Sequence, residues 1–199
     1  MDERLLARLN APTREERLHN LREEAHKAGF PPMNPRYINN HIHTFYSFSP
    51  YSPSAAVYAA RAEGLCTAGI VDHDSMGGAE EFVQAGKILG LPVTVGVEAR
   101  VSMAGTPFER LRTNNPDQLG VSYMVLHAVP HNSIPMVQQY FAPLRVARNR
   151  RNRRMAEAIS RLSGREIDFD RDVMPLSKFR DGGSITERHL MQALARKED

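Results

Sequence analysis

Between Tyr37 and His127 short, β-branched apolar runs alternate with single helices, and each run carries a histidine or carboxylate at or near its end. The runs are Tyr37 to His43, Thr67 to Asp72, Pro92 to Val101 and Val121 to His127. Ser52-Pro53 opens the first helix, which passes through Ala59 and Ala62 to Gly64; Gly78 to Leu89 forms the second, closed by Gly90. Serine then proline at a start and glycine at an end are the local chemistry of helix termini. Strands separated by single helices of this length predict parallel pairing through right-handed crossovers. The expected class is therefore α/β, with parallel strands and outer helices.

That architecture places functional groups at the carboxyl ends of its strands. His41 and His43 are two residues apart on the first strand, so their imidazoles share one face. Asp72-His73-Asp74 follows the second strand, Glu98 lies in the third and His127 closes the fourth. A lone histidine on an apolar strand is usually a packed core residue, but four successive strand ends bearing His, Asp or Glu point to a metal site. Mixed imidazole and carboxylate donors suit zinc, manganese or iron better than calcium or magnesium. Ligands from several strands imply more than one ion, with Glu98 as a bridge. Such a cluster can hydrolyse a phosphate ester, and Asp72, His73 and Glu98 are the candidate catalytic residues. Asp72 or Asp74 can orient an imidazole; Asp74 also suits a helix cap.

The flanks frame this core. Residues 1–36 read as an N-terminal helical extension: Thr13-Arg14-Glu15-Glu16 has capping-box spacing, Leu18, Leu21 and Ala25 follow at helical intervals, Gly29 is the expected C-terminal cap, and the proline-rich stretch from Phe30 to Pro35 is an extended connector. His19 and His26 in this extension read as surface positions. Residues 37–199 form the second unit, with a helical insertion at about 134–183: mainly helical from Ile134 to Leu162 with a break expected around Pro143, then mixed, before a final helix from Ser184 or Thr186 through Leu194. In 199 residues, 41% hydrophobic and 25% charged, no apolar run reaches the length of a membrane span. The charged start, Met1-Asp2-Glu3-Arg4, is unlike a secretory signal. The single cysteine, Cys66, excludes an intrachain disulfide, reads as a packed thiol and fits a cytoplasmic location.

Net charge is +3, but arginines gather between Arg145 and Arg165. Arg148, Arg150, Arg151, Arg153 and Arg154 admit three readings: a solvated helix face, a phosphate-recruiting rim in which Arg148 contacts substrate, or a nonspecific nucleic-acid surface.

These motifs resemble those of the polymerase and histidinol phosphatase (PHP) family of metal-dependent phosphoesterases. The resemblance rests on His41-Ile42-His43-Thr44-Phe45-Tyr46-Ser47, Val71-Asp72-His73-Asp74-Ser75, Gly96-Val97-Glu98, Leu126-His127 and Thr186-Glu187-Arg188-His189-Leu190. It implies a distorted seven-stranded barrel, here partial, and a cluster of two or three ions held by His41, His43, His73, Glu98, His127 and His189. It also implies a phosphate contact at Arg188, a position that suits a structural helix-start arginine equally. The subgroup it most resembles acts on nucleoside 3′,5′-bisphosphates and short oligonucleotides. A histidinol-phosphate-type phosphatase and a non-catalytic module that binds phosphorylated ligands are the alternatives. Two departures stand out. Phe48 occupies the place of the family's usual aspartate, and the chain stops at Asp199 without the family's Asp-x-His pair, as the first part of a longer member or a shortened relative would. An incomplete sheet leaves an exposed edge, so self-association into an oligomer is expected.

Overall fold

A computed structural model describes residues 1–116 and 118–197; Asp199, where the sequence reading ends the second unit, lies outside them. Two helices open the chain, α1 (Glu3–Leu9) and α2 (Arg14–Lys27). The Thr13 hydroxyl accepts the Glu16 N–H while the Glu16 carboxylate accepts the Thr13 N–H, a reciprocal cap. α2 does not end on a left-handed glycine: Ala28 closes it in an extended conformation, and Gly29 has no positive φ. The straight exit carries Phe30 onto α3 (Pro53–Ala62), where its ring meets Tyr58 at 5.3 Å and the Arg61 guanidinium at 4.9 Å.

Strands β1 (Asn34–Ile42), β2 (Leu65–Ile70) and β3 (Val93–Val95) pair in parallel in that order, with α3 and α4 (Ala79–Leu89) as the crossovers. The third expected strand is in fact two. Gly96 separates β3 from β4 (Val97–Ser102), because a Cβ there would meet the Leu126 carbonyl oxygen at 2.2 Å. The expectation of parallel pairing fails for the last strand. β5 (Val121–Leu126) runs antiparallel to β4, Glu98 opposite Val125 and Arg100 opposite Tyr123. Among the described residues no helix lies between β4 and β5 to carry the chain back, so only the antiparallel return is open. The barrel is partial and not closed.

Leu9, Leu18 and Leu21 of the opening helices share one apolar core with Val57, Phe82 and Val95. Inside that contact Arg17 and Glu81 form a buried ion pair at 2.6 Å, and the Glu81 carboxylate also accepts the Ser54 N–H and hydroxyl. A second, smaller core of Ile167, Phe169, Val173, Ile185 and Leu190 lies against α5 (Ile134–Ser163) and α6 (Glu187–Ala195). α5 runs unbroken through Pro143, contrary to the expected break. Pro143 and Gln139, whose carbonyl loses its partner there, both face solvent, so water can satisfy the freed group.

Candidate metal centre

Backbone pairing builds the site at the carboxyl ends of β1 and β2. The Val71 N–H donates to the Ile42 carbonyl at 2.9 Å, the Glu98 N–H to Asp72 at 3.2 Å and the Asp74 N–H to Glu98 at 2.9 Å. His73 and Glu98 thereby form a parallel bridge that sets the second ligand-bearing turn beside the start of β4. The strand alternation of β1 supplies His41 and His43 from the other side.

The side chains converge on one atom. Glu98 Oε2 lies 3.1 Å from His41 Nε2, 3.2 Å from His43 Nε2 and 3.6 Å from His73 Nδ1. The His43 and His73 rings stack at 4.6 Å, and His41 meets His43 edge-on at 5.1 Å. One donor atom from each of His41, His43 and Glu98 lies within 4.8 Å of the other two. Two imidazole nitrogens and a carboxylate oxygen so disposed fit a divalent cation such as zinc, manganese or iron. Burial would raise the Glu98 carboxyl, but the hydrogen bond from His43, the charge of His73 and the bond from His41 outweigh it and hold it at about 2. Burial, reinforced by the neighbouring His43, pushes His73 down to about 4. His73 is therefore neutral at pH 7 and keeps a lone pair for a cation.

These groups form one end of a cleft of about 520 Å³. Arg100, Tyr123, Arg148, Thr186, Glu187 and Arg188 line the rest of it, together with Ser47 and Phe48. Arg148 donates through Nε, at 2.8 Å, and Nη2 to the Asp74 carboxylate, on which Asp74's backbone adopts a positive φ of 49°. Arg100 holds the Tyr123 hydroxyl through Nε and Nη2, at 3.0 and 2.8 Å, and reaches Glu187 at 3.3 Å; Arg151 also pairs with Glu187. Arg188 is exposed.

The sequence-derived residues separate in space. His41, His43, His73 and Glu98 come together, and Arg148 and Arg188 line the same cleft. Asp72 is 1% exposed and lies outside the lining. Its carboxylate accepts the Thr44 N–H at 2.6 Å, the Thr44 hydroxyl at 2.5 Å and the Ser47 hydroxyl at 2.6 Å, and Ser47 Oγ is 3.4 Å from His43 Nδ1. Asp72 thus pins the turn behind His43 and touches no imidazole directly. Burial pushes its carboxyl up to about 6, against the lowering effect of those bonds. His127 is exposed and outside the lining. His189 is buried, also outside the lining, and its Nδ1 accepts the Thr186 N–H at 3.0 Å. The arginine cluster divides: Arg148 and Arg151 turn inward, Arg153 pairs with Asp170 over the Phe169 ring, and Arg150 and Arg154 are exposed.

Sequence reasoning missed Arg100, Tyr123 and Glu187. The signal for Arg100 was present, since it lies two residues after Glu98 on a strand and so shares its face. Tyr123 becomes visible only once β5 is known to run antiparallel.

The family model of the PHP domain matches residues 39–175. Error-prone DNA polymerases of Mycobacterium tuberculosis and Mycobacterium bovis are 33% identical over 96 residues, which is 47% of this chain and 8% of each polymerase. Among solved structures, a protein described as a metal-dependent phosphoesterase from Bifidobacterium adolescentis superposes with a TM-score of 0.62 at 27% identity, over 82% of this chain and 51% of that one. An amidohydrolase from Chromobacterium violaceum, solved with sulfate, gives a TM-score of 0.62 at 23% identity over 80% and 49%, and shows likeness of fold alone. The chain thus spans less than a tenth of the polymerases and about half of each solved chain.

Proposed function

The chain belongs to the PHP domain family, and on that footing we propose that it is a metal-dependent phosphoesterase acting on a small phosphomonoester, most simply a nucleotide-derived one. The observation that carries the reading is the convergence of three imidazoles on Glu98 Oε2 in a cleft that arginines also line. His41, His43 and Glu98, with His73 beside them, would hold the cation, for which manganese, zinc or iron suits the donors. Such an ion supplies Lewis-acid stabilisation of phosphoryl oxygens and acidifies a water. The chain's own residues supply the rest. Glu98 stays ionised across the working pH range, and His73 stays neutral there, so its lone pair is available to the cation. Arg188, exposed at the cleft, offers its fork to a phosphate oxygen. Arg148 is already paired with Asp74, and Arg100 with Tyr123 and Glu187, which leaves exposed Arg188 as the candidate phosphate contact.

Two charged zones in one cleft favour a substrate with a second anionic group, which is why a nucleoside bisphosphate is the first substrate to try. Protein stripped of metal and reloaded separately with Mn²⁺, Zn²⁺ or Fe²⁺ should release phosphate from a nucleoside 3′,5′-bisphosphate, a nucleoside monophosphate or an aryl phosphate. No release from any of them with any of the metals overturns the enzymatic reading. A phosphate-binding module is the second reading, favoured by the aromatic wall that Phe48 adds to the cleft; saturable bisphosphate binding without turnover distinguishes it.

A further inference from the structure

The cleft is rich in donors, yet among the described residues nearly all of those away from His41, His43 and Glu98 are already committed. The Asp72 carboxylate holds Thr44 and Ser47. Asp74 is clasped by Arg148, and Glu187 by Arg100 and Arg151. His189 spends Nδ1 on the Thr186 N–H, closing the first turn of α6 in the way a capping-box glutamate does. Its ring then meets Phe48 edge-on, 4.9 Å between centroids.

Phe48 is the unusual residue here. Its φ is 116°, a region that bulky L-residues seldom enter and that costs about 1–3 kcal/mol where it persists. Neighbours impose it. The Phe48 N–H donates to the Thr44 carbonyl at 3.2 Å, and the Ser184 N–H donates to the Tyr46 carbonyl at 2.7 Å, tying the turn to the segment before α6. The strained turn delivers the Phe48 ring to the cleft wall while its other contact is the His189 ring.

Resting on the metal-centre reading above, we infer that Phe48 walls His189 off from the cleft, so that the described residues seat a single divalent cation on His41, His43 and Glu98, with His73 alongside, and offer no second seat on the α6 side. His189 is the ligand on that side that the family resemblance implies, and an aromatic ring with a capped imidazole behind it offers no donor. With Nδ1 accepting the Thr186 N–H, the ring proton sits on Nε2, so the imidazole presents no free lone pair.

Counting ions tests this without reference to catalysis. Stripped protein is titrated calorimetrically with Mn²⁺, and the Zn²⁺-loaded form is assayed by elemental analysis. Wild type should bind one ion per chain, and His189→Asn, which keeps an acceptor for the Thr186 N–H, should leave the count and affinity unchanged. A wild-type count of two or more overturns the inference and leaves the metal-centre reading standing, and a fall in that count in His189→Asn places the extra ion on the α6 side. A wild-type chain that binds neither ion overturns both. Circular dichroism and a thermal melt confirm that His189→Asn is folded, and the wild-type count decides the matter even if it is not.

Discussion

Replacing Asp72 by asparagine separates the charge of a buried carboxylate from its shape. Asp72 is nearly inaccessible, and burial lifts its carboxyl from an ordinary 3.8 to about 6. Above pH 6 the carboxylate is ionised in the folded and unfolded chains alike, and the folded one bears the cost of a desolvated charge. Below 6 the folded chain takes up a proton that the unfolded chain accepts only near 3.8, so wild type gains stability as pH falls through that window. A shift of roughly two units corresponds to about 3 kcal/mol as an upper bound. Asp72→Asn does not titrate, yet one amide oxygen can still accept the Thr44 N–H and the Ser47 hydroxyl, and the amide N–H can donate to the Thr44 hydroxyl. Asp72→Ala instead strands the Thr44 N–H in the interior, at a cost of about 1–3 kcal/mol. Urea unfolding in chelator at pH 4, 5, 6 and 7 reads both effects. The expected result is a wild-type minus Asp72→Asn difference that moves toward wild type by about 2–3 kcal/mol between pH 7 and pH 4. Subtraction cancels the opposite trend of His73 and His189, which burial pushes down to about 4 and which therefore weaken the fold as pH falls from 6.5. A difference independent of pH would refute the claim that Asp72 is held as a desolvated charge.

Glu98→Gln removes the oxygen on which the imidazoles converge, and Mn²⁺ affinity should fall at least ~100-fold by calorimetry, exceeding the loss typical of residues that only support a ligand. Glu81→Gln leaves Arg17 buried without its counter-charge and should cost about 3–5 kcal/mol in urea unfolding; a cost under about 1 kcal/mol would show that water reaches the pair. Gly96→Ala drives a methyl into the Leu126 carbonyl, 2.2 Å from the ideal Cβ, and should destabilise the chain by about 1–3 kcal/mol through overpacking. Unchanged unfolding in Gly96→Ala would mean that β5 does not cross β4 where described.

Local chemistry is what a sequence exposes most directly, and several features of this chain are local. The Thr13–Glu16 cap, the Ser52-Pro53 helix start and the left-handed Gly90 all follow from a few neighbouring residues, and the structure has each of them. The alternation of strands and helices likewise made the parallel β1-β2-β3 sheet legible, because a helical crossover leaves a strand little choice of direction. Gly29 and Pro143 show the limit of local signals. Each carries a strong terminus or breaker propensity, and each is overruled, one by the anchoring of Phe30 on α3 and the other by a solvent-facing helix surface.

From its amino acids alone this chain settled that His41 and His43 face the same way, because a strand's two-residue period needs no partner to act; of the other strand-end groups His73 and Glu98 join them, and Asp72 and His127 do not. Tertiary structure alone decided which of the gathered groups remain available. Arg148 is spent on Asp74, Arg151 on Glu187, His189 on the start of its own helix, and Phe48 stands in the wall. These pairings join residues from 3 to 74 positions apart. Most depend on where distant segments meet, and that is set by the packing of two hydrophobic cores and by the direction of β5, neither of which any short stretch of sequence encodes.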